Sequence, residues 1–289
     1  QPDKKMSTIN CIINSELIPI SKASVSVNDL GLQRGYGIFD YFKILDNAPV
    51  FLDDHLNRFY RSAESMRLIL KYSDAELKDQ IHALMNINKM PDSGIKLTLT
   101  GGDSADGFSL GSPNLIITQS PLTSYQPKGY GTGIKIVTHQ HQRQMPGVKS
   151  IDYLMAVWLQ PFIKQHNAHD VLYHNNNLIT ECPRANIFIV TKEEKVLTPA
   201  INVLHGIIRS KVLSLEVPFT IKEAGITPDD VYDAKEIFIT STTKNILPVI
   251  QVDNHQVGDG TPGRITQKIA EVLLTIINKN PSSSHIMVS

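Results

Sequence analysis

The chain has 289 residues, enough surface for two domains or lobes rather than one. Its 28 Lys plus Arg balance 28 Asp plus Glu, so the formal net charge is zero and the basic excess favoured by nucleic-acid and membrane-surface binders is missing. Two cysteines, Cys11 and Cys182, fit no metal-site spacing and suit a reducing compartment, and no apolar run nears the roughly 18 residues of a membrane span, so the expectation is a soluble cytoplasmic protein without a metal.

In chain order, Gln1–Lys5 is polar and reads as disordered. Ile38–Leu45, turn residues Asp46–Pro49 and Val50–Leu52 predict a β-hairpin. Asp53 or Asp54 then caps a helix with apolar positions Leu56, Phe59, Tyr60, Ala63 and Met66; Arg58 lies off that stripe, on a face that reads as solvated. Strands follow at Ile95–Thr100 and Asn114–Thr118. Residues 121–133, rich in proline and glycine, predict the connection between an N-terminal domain (1–120) and a C-terminal domain (134–289). Next come a strand at Ile134–Thr138 and a helix through Trp158 that Pro161 kinks or ends. A second hairpin joins Val171–His174 to Leu178–Glu181, and Asn186–Val190 reads as a buried strand. A helix starts near Gly206, a strand covers Glu236–Thr240, a last helix spans Arg264–Ile277, and the tail Asn280–Ser289 reads as disordered. The pattern is α/β or α+β with mixed connections.

Several segments carry usable chemistry. Lys149 sits close to apolar Val148 and Ile151, which permits burial. A lysine attacks only as the neutral amine, and its free pKa of about 10.4 must be lowered by desolvation or by a cation such as Arg143. Glu181 closes an apolar strand, where a carboxylate faces either a pocket or solvent. Leu204-His205-Gly206-Ile207-Ile208-Arg209 opens a helix, whose free N–H groups bind phosphate. Thr240-Ser241-Thr242-Thr243-Lys244 follows a strand, and its hydroxyls suit an anion site or a helix N-cap. An amine, a lone carboxylate and phosphate donors are what pyridoxal phosphate asks of a protein.

Six segments occur in one order: Arg34-Gly-Tyr-Gly-Ile-Phe-Asp40, His55-Leu-Asn-Arg58-Phe-Tyr-Arg-Ser62-Ala63, Lys149-Ser-Ile-Asp-Tyr153-Leu, Thr180-Glu181 with Asn186-Ile-Phe188, Gly206-Ile-Ile-Arg209 and Thr240-Ser-Thr-Thr243. The set resembles the fold-type IV pyridoxal-phosphate enzymes, the class IV aminotransferase family. That family includes branched-chain and D-amino-acid aminotransferases, R-selective amine aminotransferases and 4-amino-4-deoxychorismate lyases. The resemblance runs from about Ile9 to about Leu274. It implies a smaller N-terminal α/β sandwich, a larger C-terminal pseudo-barrel, and a homodimer whose Gly101–Pro113 loop completes the partner's substrate pocket. It also implies roles. Lys149 is the Schiff-base lysine and proton shuttle, and Glu181 pairs with the pyridine N–H. Arg58, the amides of Ile207 and Ile208 after Gly206, and the Thr242-Thr243 pair hold the phosphate, Tyr153 lies near the phenolic oxygen, and Leu204 packs on the ring.

Two departures narrow the reading. Ile208 stands where the family often has threonine, keeping the amide and losing a hydroxyl. The Arg-x-His pair by which D-amino-acid aminotransferases trap a carboxylate has no counterpart in Gly101–Ser109, and Phe39 stands at the matching tyrosine. Phe39, Tyr41 and Phe108, with Arg143, then make a candidate pocket for an apolar side chain. The expectation is ping-pong transfer of an amino group between an amino acid and a 2-oxo acid. A pyruvate-eliminating lyase and a non-catalytic cofactor-binding homologue are the rival readings.

Overall fold

The computed structural model describes residues 9–122 and 131–279. Both ends read as disordered, and most of the predicted 121–133 connection, lie outside these residues. The chain forms two compact units, one of residues 9–122 with 148–152 and one of residues 131–147 with 153–279.

The first unit runs β1 (Asn10–Ile13), β2 (Glu16–Pro19), α1 (Leu30–Arg34), β3 (Gly37–Leu45), β4 (Ala48–Pro49), α2 (Leu52–Ser65), α3 (Asp74–Asn88), β5 (Ser93–Thr100) and β6 (Leu115–Pro121). Its sheet has six strands in the order β2-β1-β6-β5-β3-β4, paired antiparallel. Strand alternation decides which face is core. Ile38, Phe42 and Ile44 of β3, Ile95, Leu97 and Leu99 of β5, and Leu115 and Ile117 of β6 pack with Leu56, Phe59 and Ala63 of α2 and Leu77, Ile81 and Leu84 of α3. Each of these Leu, Ile and Phe side chains contributes about 1.5–3 kcal/mol by leaving water. A capping box, in which Ser73 and Glu76 each accept the other's backbone N–H, fixes the start of α3.

Three local expectations are corrected here. Helix α2 begins at Leu52 with Phe51 as its N-cap in the left-handed region (φ 54°), so Asp53 and Asp54 occupy the first turn, where they favour the helix dipole, and do not cap it. The hairpin returns through Ala48–Pro49 and not Val50–Leu52, because Val50, Phe51 and Leu52 are drawn into the core at the helix start. Arg58 is not on a solvated face; it is buried.

The second unit runs β7 (Ile134–Gln140), α4 (Leu154–Trp158), α5 (Gln160–Gln165), β8 (Asp170–Asn175), β9 (Leu178–Ile179), β10 (Glu181–Cys182), β11 (Ala185–Val190), β12 (Val196–Pro199), α6 (Ile207–Leu213), β13 (Ile221–Ala224), α7 (Pro228–Tyr232), β14 (Glu236–Ser241), β15 (Asn245–Val252), β16 (His255–Gln256) and α8 (Arg264–Asn278). Pro161 separates α4 from α5 by entering the first turn of α5, where its missing N–H costs nothing. The ten-stranded sheet follows β13-β12-β11-β14-β15-β7-β8-β9, with β10 on β11 and β16 on β15. The predicted second hairpin is therefore split. Leu178–Ile179 pairs with β8, whereas Glu181–Cys182 pairs with β11, so the chain changes partner at Thr180. The Thr180 backbone N–H, 2.9 Å from the Tyr173 carbonyl, pins that corner. Glu181 is the next residue.

Candidate functional site

In the second unit, Glu181 is buried where the chain changes strand partner, and three segments meet it. Its Oε1 accepts from Arg143 Nε at 2.8 Å; its Oε2 accepts from the Leu204 backbone N–H at 2.9 Å and from Asn186 Nδ2 at 3.4 Å. Asn186 also donates to the Leu204 carbonyl at 2.8 Å, so one amide ties the carboxylate to the loop entering α6. That loop ends at Gly206, the N-cap of α6, which has no side-chain cap. A Cβ at position 206 would collide with Asn186 Oδ1, so glycine is required by close approach and not by a positive φ. We expect Gly206→Ala to push Asn186 off Glu181 and Leu204, and to destabilise the fold by about 1.5–3 kcal/mol, the worth of about one hydrogen bond to a charged group. A urea unfolding curve checks it, and an unchanged midpoint refutes it.

Residues Ile207 and Ile208 supply first-turn amides that the helix itself cannot satisfy. The Ile208 side chain is buried, so the missing hydroxyl is replaced by core packing. Thr242 and Thr243 lie in the turn between β14 and β15, which excludes the helix N-cap reading. There Ser241 Oγ lies 3.3 Å from Thr243 Oγ1 and accepts from the Lys244 N–H at 3.1 Å. Just before it, Thr240 is buried with a hydroxyl that has no protein partner. Tyr153 is the N-cap residue of α4 and is half-buried.

In the first unit, Val148–Asp152 runs along β3. The Phe39 N–H donates to the Lys149 carbonyl at 2.9 Å, and the Ile151 N–H to the Gly37 carbonyl at 3.0 Å. The half-buried Lys149 places its ammonium 4.5 Å from the centre of the Phe39 ring, a cation–π contact, and Lys96 lies 5.1 Å from the same centre. Phe39 and Tyr41 share the face of β3 opposite the core, and Tyr41 lies over Gly94, where a Cβ would collide with its ring. Phe108 stands apart on the 101–113 loop and is 85% exposed. The loop is not a loose tip, since Asp106 accepts from the Phe108 and Ser109 N–H groups and from the Ser104 and Ser109 hydroxyls.

Beneath β3 lies a cluster the sequence reading missed. Arg58 grips buried Asp40 with Nε at 2.8 Å and Nη2 at 2.7 Å, and His55 Nδ1 sits 2.7 Å from Asp40 Oδ1. Burial pushes the Asp40 carboxyl up, but the charges and hydrogen bonds of Arg58 and His55 prevail and hold it well below the usual carboxylate range. Burial dominates at His55 and lowers its pKa despite Asp40, so the ring is neutral with its proton on Nδ1. The signs agree. The depressed His55 contributes stability that is complete above its unfolded value of about 6.5 and falls as pH drops below it; Asp40 adds a further loss starting below about 4. Urea midpoints should fall between about pH 7.5 and pH 5, and a flat profile would contradict the buried neutral imidazole.

A family model described as amino-transferase class IV matches residues 37–252. The chain belongs to the class IV aminotransferase family. The D-alanine aminotransferase of Bacillus licheniformis is 30% identical to this class IV aminotransferase over 270 residues, covering 91% of this chain and 95% of that one. Two solved structures share the fold. The branched-chain amino acid aminotransferase of Escherichia coli superposes with a TM-score of 0.87 at 23% identity, over 93% of this chain and 95% of that one. A hypothetical aminotransferase from Mycobacterium tuberculosis, in its PLP-bound form, gives 0.81 at 16% identity, over 93% of this chain and 99% of that one. The class IV aminotransferase is therefore a pyridoxal-phosphate-dependent enzyme that moves amino groups between amino acids and 2-oxo acids, the first of the three readings above. The donor set of the second unit fits that cofactor. It offers a buried, fully oriented carboxylate, uncapped helix amides and a buried hydroxyl in want of a partner. Among the described residues no cluster suits a metal ion, and no helix is long and apolar enough to cross a membrane.

Proposed function

We propose that Lys149 is the residue that carries the cofactor covalently and shuttles the proton, with Glu181 as partner of its ring nitrogen. The observation that carries this is the Glu181 corner, a carboxylate whose two oxygens are fixed by Arg143, Leu204 and Asn186 at a turn of the sheet. When bound, pyridoxal phosphate supplies an electron sink that stabilises negative charge at the donor's α-carbon. The protein's share is then to hold Glu181 anionic and aligned, to present the Lys149 amine, and to bind the phosphate through Gly206, Ile207, Ile208, Thr242, Thr243 and Arg58. Tyr153 and Leu204 border the cofactor. Because the Asp40 fork uses Nε and one Nη of Arg58, the other Nη is the group available to a phosphate. Arg58→Ala would strand a buried carboxylate at a cost of about 3–5 kcal/mol. Arg58→Lys is the cleaner variant, and we expect it to fold yet lose cofactor on dialysis faster than wild type.

For the donor we propose an amino acid with an apolar side chain of the branched-chain kind. Support comes from Phe39 and Tyr41 on the face that also carries Lys149, and from the lack of Arg or His in the 101–113 loop. D-Alanine is the second reading, favoured by the Bacillus licheniformis relative. Mixing holoenzyme with L-leucine, L-valine or D-alanine and following the cofactor's absorbance distinguishes them. Conversion by D-alanine alone overturns the branched-chain proposal.

We further propose a cytoplasmic homodimer. Both cysteines are free and buried, as a reducing compartment allows, and Phe108 and Leu110 expose apolar surface on a loop stiffened by Asp106. Sedimentation tests the assembly, and a fully active monomer refutes it.

A further inference from the structure

We propose that Arg143 is a positioning residue that acts through Glu181, binding that carboxylate to the turn leading to Lys149. This rests on the reading of Glu181 given above. Sequence reasoning put Arg143 in the substrate pocket or beside the lysine amine. Its side chain also makes two contacts that sequence reasoning did not give it. Nε donates to Glu181 Oε1 at 2.8 Å, and Nη2 donates to the Pro146 carbonyl at 2.6 Å. Pro146 is three residues before Lys149 in the chain. One rigid guanidinium thus fixes both the carboxylate and the last turn before the Lys149 segment.

The geometry also says why arginine suits the position. A carboxylate with one oxygen held by Leu204 and Asn186 can still pivot about its Cγ–Cδ bond; a second donor on the other oxygen stops the pivot. A guanidinium presents donors in a fixed plane and can serve an oxygen on each side, whereas an ammonium is a point charge on a flexible stem. The preceding residue strengthens the arrangement. Gln142 Nε2 lies 3.3 Å from the Arg143 carbonyl and 3.4 Å from that of Asn202, linking this stretch to the loop that carries Leu204. Arg143 and Glu181 are both largely shielded from water, so their pairing escapes the screening that makes exposed ion pairs weak.

The test is a double-variant cycle on the holoenzyme. Arg143→Gln should lower kcat on the order of 10- to 100-fold, the worth of a hydrogen bond to a charged group, with KM for the donor within about threefold. Arg143→Lys should fall between the two. The bound cofactor's absorbance band should change in Arg143→Gln, while its dissociation constant stays within about threefold, because the phosphate donors lie elsewhere. In the Glu181→Gln background, Arg143→Gln should have almost no further effect on kcat or on the band. Additive losses, an unchanged kcat, or a kcat loss matched by cofactor loss overturns the proposal while leaving Glu181's role standing. Wild-type turnover by Glu181→Gln itself overturns the underlying reading first, and separates that failure from this one.

Discussion

Lys149→Ala should abolish amino-group transfer while the protein stays folded. The reason the fold survives is that the first unit holds this segment by its backbone. The Lys149 carbonyl accepts from Phe39, Ile151 donates to Gly37, and Val148 is part of the core; alanine keeps all three. What disappears is the ammonium over the Phe39 ring, a contact of about 0.5–1 kcal/mol at an exposed site. On the role proposed for Lys149, the catalytic loss is far larger, because a covalent anchor and a proton shuttle would go at once. Proton transfer by a positioned group is alone worth about 10²- to 10⁴-fold. Single-turnover kinetics with a thermal melt check both halves. Borohydride reduction of the wild-type holoenzyme, followed by peptide mapping, should place the label on Lys149, and a label on any other lysine sinks the assignment.

Glu181→Gln should keep the cofactor and slow turnover by about two orders of magnitude or more, the scale set by removing one preorganised electrostatic contact. The substitution is less gentle than its shape suggests. Glutamate accepts on both oxygens, from Arg143 on one side and from Leu204 and Asn186 on the other. Glutamine has one accepting oxygen, so its NH₂ must face either the guanidinium or the Leu204 N–H, donor against donor. That conflict leaves a buried donor unpaired, at about 1–3 kcal/mol. A lowered melting temperature should therefore accompany the lost activity, and Arg143→Gln in the same chain should restore part of the stability by removing the opposing donor. Near-normal turnover in Glu181→Gln would falsify the role assigned to this carboxylate.

Much of this architecture could be read from residue pattern. The apolar run Asn186–Val190 is the buried strand β11, and Leu56, Phe59 and Ala63 face the core. Gly206 opens α6, and Arg264 opens α8. The boundaries that moved did so because tertiary burial outweighed local preference. Phe51 caps α2 in a left-handed conformation since its ring is buried, whereas two aspartates next to it are better caps by propensity. Thr180 divides a strand whose composition is continuous, because its two halves have different neighbours, and pairing partners are not encoded in periodicity. The Asp40 cluster could have been found. Asp40 lies between Ile38 and Phe42 at the core-facing parity of β3, and His55, Arg58 and Ser62 follow one another at helical spacing, so a polar stripe meets a polar strand position. The partner of Arg143 was beyond reach, since Glu181 is far off in sequence and the two meet only where the chain changes strand partner.

The path of Val148–Asp152 bears on how the protein can be dissected. This short stretch belongs to the first unit, although the residues on either side of it belong to the second. A truncation ending near residue 122 would keep the helices α2 and α3 yet uncover the edge of β3, because the Phe39 N–H and the Gly37 carbonyl would lose their partners and Val148 would leave the core. Bare strand edges of that kind recruit other chains. The N-terminal fragment should therefore aggregate, and a synthetic peptide covering residues 147–153 should bind it and restore solubility. Seen this way, Lys149 travels on a graft, a short stretch donated by the later chain to complete the earlier one.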